Sequence, residues 1–275
     1  MVKPAGPSSH DVVDVVRRAL GTSRVGHLGT LDPFAEGLLV VVVGRATRLA
    51  PFAAGWRKSY AGTIRLGTTT TTDDATGELV SSSDAWEAVD RAAVEAAFAG
   101  LRGPIRQRPP AHSAVKVGGV RAYRRARRGE TVMLAPREVE IAELTLDGFA
   151  PPDVRFRATV SGGTYLRSVA RDVGAVLGCG AHLVALTRTA VGPFHLEDAK
   201  PAEAVTEADL RPAAVLVADL ARRMLAVGER DGVVHGRPLP AADETGQVAL
   251  FAGEELVAVG ERVGDVVKPR IVLAD

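Results

Sequence analysis

The chain carries one cysteine in 275 residues, Cys179. That excludes an internal disulfide framework and fits a reducing cytoplasm. Aromatic residues are also scarce, at 4% against 46% hydrophobic overall, so aliphatic side chains and alanine must fill the core. Nothing resembles a membrane span: the apolar run Leu38 to Val43 is far below the ~20 residues that a bilayer requires. The opening Met1-Val2-Lys3-Pro4 has no apolar h-region, so no secretory leader is expected. Charge of one sign is missing as well. The net charge is only +1, which alone predicts no polyanionic partner, and the distribution carries more information than the sum. The six histidines and the cysteine never approach zinc-ligand spacing, so no metal is expected. Cys179 and His182 stand three apart beside glycines with no third partner, which is weak ground for a thiol nucleophile. There is no internal repeat or low-complexity tract.

What is present centres on the stretch from Arg24 to Leu39. It lies between an amphipathic helix pattern (Val12, Val13, Val15, Val16 and Leu20 on one face, Arg17 and Arg18 outside) and the run Leu38 to Val43, read as one buried strand. Gly26, Gly29, Pro33 and Gly37 punctuate it, which predicts an ordered loop with tight backbone geometry. Asp32 is its only carboxylate before Glu36, and Pro33 biases it away from the αR region. Taken alone, an Asp-Pro is most simply an Asx turn. Upstream, the turn-rich segment Lys3 to Ser9 leads into the helix with Ser9 as its expected N-cap.

Further along, Lys58 to Gly67 reads as a strand, followed by a Thr-rich turn and Asp73-Asp74-Ala75-Thr76-Gly77. A helix is expected around Val89 to Phe98. From Arg102 to Arg128 the chain holds Arg102, Arg106, Arg108, Lys116, Arg121, Arg124, Arg125, Arg127 and Arg128 with no acid. Two prolines and a Gly pair in the same segment predict a long projecting loop with a short helix around Tyr123 to Arg128. Either a solvated face or a nucleic-acid groove accounts for the basic run. Alternation over Val154, Phe156, Ala158 and Val160 predicts a half-buried strand, and a helix follows to about Leu177. After an acidic, Ala-rich stretch, short strands are expected at Val248 to Phe251, Leu256 to Val259 and Ile271 to Leu273.

The string Gly-His-Leu-Gly-Thr-Leu-Asp-Pro closely resembles the catalytic loop of pseudouridine synthases, specifically the bacterial tRNA pseudouridine synthase B (TruB-type) family. Gly163-Thr164-Tyr165-Leu166-Arg167-Ser168 resembles a second family motif, and Leu177-Gly178-Cys179-Gly180-Ala181-His182-Leu183 with Leu186-Thr187-Arg188-Thr189 a third. The opening resembles the family's Lys-Pro-x-Gly segment. Family members carry an apolar strand before it, so a trimmed start or a sheet edge lacking a strand is expected here. The Cys-Gly-Ala-His form is similar to the stand-alone bacterial enzymes rather than the guide-RNA-dependent ones.

The resemblance implies an α+β pseudouridine synthase fold: a central mixed, mostly antiparallel sheet flanked by helices and loops, with a small C-terminal all-β PUA-like module. It implies a catalytic domain over 1–200 with an RNA-gripping insertion at about 102–134, a connecting helical segment over 201–225, and the module over 226–275. The implied activity is isomerisation of uridine to pseudouridine at position 55 in the T-loop of tRNA, with no cofactor, no guide RNA and no membrane, by a cytoplasmic monomer. Catalytic roles fall to Asp32, to Arg167 as its ion-pair partner and to Tyr60 stacking on the base. His27 would insert where the flipped base came from, Tyr165 and Leu186 would wall the uracil pocket, and Lys116 and Arg188 would bind substrate. Arg108, Arg121, Arg124, Arg125 and Arg128 would grip RNA through the insertion. Asp74 falls on an acidic turn position with an expected structural role. The partner Arg is expected to lower the Asp32 pKa below ~3.9, by ~1–3 units. A carboxylate there can attack C1′, attack the ring, or remove the C2′ proton. A tRNA-folding chaperone is the alternative; it needs neither Asp32 nor Arg167.

Overall fold

The computed structural model describes all residues except 114, 118, 119, 123, 124, 126, 127, 129, 131–133 and 275, and only the backbone of 116, 117, 120 and 121. Two compact units emerge. The first comprises Met1–Asp11, Thr30–Val40 and Gly55–Pro201; the second comprises Val12–Gly29, Val41–Ala54 and Ala202–Asp275.

An eight-stranded sheet organises the first unit, in the order β1 (Val2–Lys3), β3 (Glu36–Leu38), β13 (Ala181–Val191), β5 (Lys58–Leu66), β12 (Asp153–Val160), β11 (Arg137–Ala150), β8 (Gly103–Gln107), with β14 (Phe194–His195) paired to β13. Only the β3–β13 pairing is parallel, so the sheet is mixed and mostly antiparallel. A separate ribbon pairs β6 (Thr68–Thr70) with β7 (Leu79–Ser82) around the Asp73-Asp74 turn. Alternation puts Val154, Phe156, Ala158 and Val160 of β12 inward, where they join Ile64 and Leu66 of β5 and Ile141 and Leu144 of β11. Helices α2 (Arg91–Leu101) and α3 (Leu166–Val176) complete that core with Val94, Phe98, Val169, Ala170 and Val173. The edge expected to lack a strand is occupied: Val2 and Lys3 pair with Leu38 and Gly37.

Several elements differ from the sequence expectation for identifiable reasons. Helix α1 (Ser9–Ala19) is capped by Ser8, not Ser9: the Ser8 Oγ accepts from the Asp11 amide (3.3 Å) and Asp11 accepts from the Ser8 amide (2.7 Å), a reciprocal cap. Helix α2 starts after Val89 because the Asp90 carboxylate accepts from the Ala93 amide at 2.8 Å. The run Leu38 to Val43 is two short strands, β3 and β4 (Val41–Val43), because Leu39 donates its amide to the Met1 carbonyl at 2.8 Å between them. Strand β11, fourteen residues long, has no clean period-two signal because bulges between Ile141 and Glu143 and between Leu146 and Gly148 reset its phase. Within the insertion, a two-stranded ribbon pairs β9 (Lys116–Val117) with β10 (Val120–Arg121). The short helix expected around 123–128 falls largely outside the described residues.

In the second unit, β2 (Val25–His27) pairs with β4. A five-stranded sheet follows in the order β15 (Ala221–Met224), β17 (Gln247–Ala252), β18 (Glu255–Val263), β19 (Val266–Val272), β16 (Leu239–Pro240). Val248, Leu250, Val257, Ala258 and Val267 form its core with Val233 of the short helix α4 (Glu229–Val234). The last strand begins at Val266, five residues before the expected Ile271. Among the described residues no helix is long and apolar enough to cross a membrane.

Candidate active site

Asp32 sits on a loop pinned from several sides. The Ser9 hydroxyl donates to the Leu31 carbonyl (3.0 Å) and accepts from the Leu31 amide (2.9 Å). Lys3, fully enclosed, donates its ammonium to the carbonyls of Pro4 (2.9 Å), Pro33 (3.2 Å) and Ala35 (2.6 Å). The Gly6 amide donates to the Pro33 carbonyl at 2.8 Å. After the loop, Gly37 packs its Cα face against the Arg188 backbone at φ +103°, where an added Cβ would lie 2.8 Å from the Arg188 nitrogen and closer still to its oxygen. Only glycine fits there. Lys3, Ser9 and Gly37 thus fix the loop on both sides of Asp32.

Arg167 enters from the first turn of α3 with its side chain 5% exposed. Its Nη2 donates to Asp32 Oδ1 (3.3 Å) and to the His112 carbonyl (2.9 Å), and its Nη1 donates to the Thr72 carbonyl (2.9 Å). Nε approaches Asp32 Oδ2 at 2.9 Å as an ion-pair contact, without hydrogen-bond alignment. Nη1 also lies 3.4 Å from Asp74 Oδ2, so the guanidinium is shared by two carboxylates. Asp74 is buried, and its Oδ1 accepts from the Thr72 hydroxyl (2.7 Å), the Thr76 amide (2.9 Å) and the Thr76 hydroxyl (2.6 Å). The acidic turn expected to be structural is a direct partner of Arg167.

Asp32 keeps 35% of its side chain exposed, enough for a substrate atom to reach it. Its acidity runs opposite to expectation. Burial is the largest influence and pushes the carboxyl above its ordinary value; Arg167 pulls down, Asp74 pushes up, and Lys3 pulls down. The expected lowering by arginine is present but outweighed.

Tyr60 lies on β5 directly opposite Arg188 of β13. Burial pushes its phenol up, opposed by the charge and hydrogen bond of Arg188. Arg188 is itself fully enclosed and donates Nε to the Leu38 carbonyl at 2.8 Å. Leu186 is 7% exposed and opposite Gly62, within the main core. Tyr165 caps α3 and is half-buried; its ring packs against Val115, Ala122 and Leu134 of the insertion. Burial raises the Tyr165 phenol as well, opposed by the Ser113 hydroxyl.

His27 ends β2 in the second compact unit and is half-buried. In the insertion, Arg108 and Arg128 are exposed. Arg125 is tied to Glu130, Nε to Oε2, at 2.6 Å. Arg124 lies outside the described residues, as do the side chains of Lys116 and Arg121. Cys179 is buried in the core, and His182 turns Nδ1 to the Thr68 carbonyl (3.0 Å) and hydroxyl (3.1 Å). Among the described residues no group of three or more His, Cys, Asp and Glu side chains is placed to hold a metal ion.

Sequence reasoning assigned Asp32, Arg167 and Tyr60 to one site but missed Lys3, Ser9, Asp74 and Gln107 as parts of the same construction. Lys3 had a signal in the Lys-Pro-x-Gly segment. Ser9 and Gln107 had none, because their partners are backbone atoms distant in sequence.

The family description "TruB family pseudouridylate synthase (N terminal domain)" matches residues 17–166, and "tRNA pseudouridylate synthase B C-terminal domain" matches 167–227. A protein named tRNA pseudouridine synthase B from Thermobifida fusca is 50% identical over 99% of this chain and 96% of its own length. One of the same name from Mycobacterium sp. (strain KMS) is 47% identical over 91% of this chain and 86% of its own. Among solved structures, a chain of a Cbf5–Nop10–Gar1 complex is similar with a TM-score of 0.71 at 26% identity, covering 98% of this chain and 83% of that one. A chain of an H/ACA RNP bound to a substrate RNA containing 2′-deoxyuridine gives a TM-score of 0.72 at 24% identity, covering 100% and 84%, and shows the fold alone. With the family descriptions matched from residue 17 to 227 and relatives 47% and 50% identical over nearly their whole length, this chain belongs to the TruB family of pseudouridylate synthases.

Proposed function

We propose that this protein is a tRNA pseudouridine synthase, an isomerase that converts uridine to pseudouridine at position 55 in the T-loop of tRNA. The observation that carries the reading is the pairing of a partly open Asp32 with a buried Arg167. The reaction breaks the C1′–N1 bond, turns the base and joins C5 to C1′; the C5 hydrogen leaves as a proton and N1 takes one up, so the atoms balance. It is redox-neutral and takes place within one nucleotide, so it calls on the chain's own residues and no cofactor. Asp32 acts as the ionised carboxylate, and Arg167 holds it in that state and in position. Tyr60 stacks on the extruded base, which returns roughly 1–3 kcal/mol against an extrusion cost of a few. Arg188 supports Tyr60 from the neighbouring strand, and Tyr165 and Leu186 wall the uracil. His27 fills the space left in the T-loop. The insertion over 102–134, with Arg108, Arg121, Arg124, Arg125 and Arg128, supplies phosphate contacts along with Lys116.

In this reading 1–200 is the catalytic domain, the expected connector over 201–225 ends at about 220 because β15 already belongs to the C-terminal sheet, and the rest to 275 is a reduced PUA-like RNA-binding module. The enzyme works as a cytoplasmic monomer without a guide RNA. A role limited to folding tRNA needs neither member of the Asp32–Arg167 pair and is not favoured. The test is incubation with unmodified tRNA and mapping of pseudouridine by position. Modification confined to uridine 55 supports the proposal, and modification elsewhere or none contradicts it.

A further inference from the structure

Gln107 is the last residue of β8, paired with Arg137 where β11 begins, so the insertion leaves the sheet at Gln107 and returns at Arg137. Its side chain is 2% exposed and makes a closed pair of hydrogen bonds to one residue. Nε2 donates to the Tyr165 carbonyl at 3.2 Å, and Oε1 accepts from the Tyr165 amide at 2.9 Å. Tyr165 is the N-cap of α3 and has no side-chain cap of its own; its carbonyl also accepts the first helical bond, from the Val169 amide at 3.1 Å. Gln107 therefore accepts, from a strand distant in sequence, the N-cap amide that a glutamate or glutamine at N3 of a capping box would accept locally.

The same face of α3 grips the next residues of the insertion. The Arg108 carbonyl accepts from the Ser168 hydroxyl (2.9 Å) and from Arg171 Nη2 (2.9 Å). The His112 carbonyl accepts from Arg167 Nη2, the nitrogen that also reaches Asp32. The Tyr165 ring meanwhile rests on Val115, Ala122 and Leu134 from both legs of the insertion. Residues 165, 167, 168 and 171 thus hold 107, 108 and 112.

We propose that Gln107 is a positioning residue for the reaction: by holding Tyr165 it sets the start of α3, and with it the placement of Arg167 against Asp32, so that the base of the insertion and the ion pair move as one body. A glutamine suits the task because a single planar amide offers a donor and an acceptor side by side, matching the amide and carbonyl of one residue. Leucine offers neither, and glutamate offers only the acceptor. The inference rests on the proposed pseudouridine synthase activity.

The test is single-turnover pseudouridine formation by wild type, Gln107→Leu and Gln107→Glu, with tRNA saturating as shown by no change on doubling its concentration. The amplitude reports the folded, active fraction, and the rate constant reports positioning in that fraction. We expect the rate constant of Gln107→Leu to fall at least fivefold, with Gln107→Glu between it and wild type. A rate constant within fivefold of wild type, with any loss confined to amplitude, makes Gln107 a structural filler and overturns the proposal. If Gln107→Leu does not fold, Gln107→Glu decides, a fall of at least twofold supporting the proposal and a smaller one overturning it. A wild type that forms no pseudouridine refutes the enzymatic reading itself, and the positioning role with it.

Discussion

Removing the guanidinium of Arg167 tests both the geometry and the electrostatics of the site. In Arg167→Met the Asp32 and Asp74 carboxylates lose the cation between them, and the carbonyls of Thr72 and His112 lose their donor. Breaking a buried ion pair by deleting one partner costs ~3–5 kcal/mol. Because Asp32 is 35% exposed, the low end applies, about 3 kcal/mol. If that loss falls on the transition state, single-turnover rate drops roughly a hundredfold. The pH profile adds an independent reading. Burial and Asp74 already push the Asp32 carboxyl up, while Arg167 and, more weakly, Lys3 oppose them. Deleting Arg167 removes the larger opposing influence, so Asp32 keeps its proton to higher pH. The acidic limb of the rate profile must therefore move to higher pH than in wild type. Arg167→Lys restores the charge but not the fork, since an ammonium has three donors where the guanidinium serves four acceptor groups. It should keep the limb near wild type while the rate still falls. An unmoved limb in Arg167→Met, or a rate loss below threefold, would refute this account of the pair.

Three further outcomes are expected. Gly37→Ala places a methyl against the Arg188 backbone at φ +103°, and should lower unfolding free energy by at least ~2 kcal/mol in a denaturant titration. Asp32→Asn should melt no lower than wild type at neutral pH. A carboxyl whose folded pKa is raised contributes stability that is present below the unfolded pKa and lost as pH rises, so at neutrality its charge costs stability and asparagine relieves it. Replacing the exposed Arg108 and Arg128 with alanine should flatten the salt dependence of tRNA binding, by up to about 0.9 in slope for each phosphate left unneutralised, as read from log Kd against log salt concentration.

The sequence was most legible where chemistry depends on a short local string. Asp32 and Arg167 lie 135 residues apart, yet each stands in a motif specific enough to pair them before any coordinates. Periodicity also served well where a strand is regular: β12 falls where alternation puts it, and β5 lies within the expected Lys58 to Gly67 stretch. It failed on β11, whose bulges shift the inward face twice along one strand. Interactions with backbone atoms were the least legible. Ser9 looked like a cap because serine before an amphipathic run usually is one, but its hydroxyl serves Leu31 while Ser8 caps the helix. Lys3 and Gln107 bind carbonyls and amides, which every residue has, so no side-chain pattern marks their partners. The acidity of Asp32 was misjudged for a related reason: a neighbouring arginine can be inferred from a motif, but the extent of enclosure that outweighs it depends on the assembled fold.

In the proposed reaction the Asp32 carboxylate carries out the chemistry while tRNA recognition rests on other residues. Asp32→Asn preserves size and hydrogen-bonding capacity and removes the charge. Measured side by side with wild type, single-turnover pseudouridine formation should fall to background while the equilibrium Kd for tRNA stays within about tenfold, ~1.4 kcal/mol. An Asp32→Asn protein that still forms pseudouridine at the wild-type rate would contradict the account.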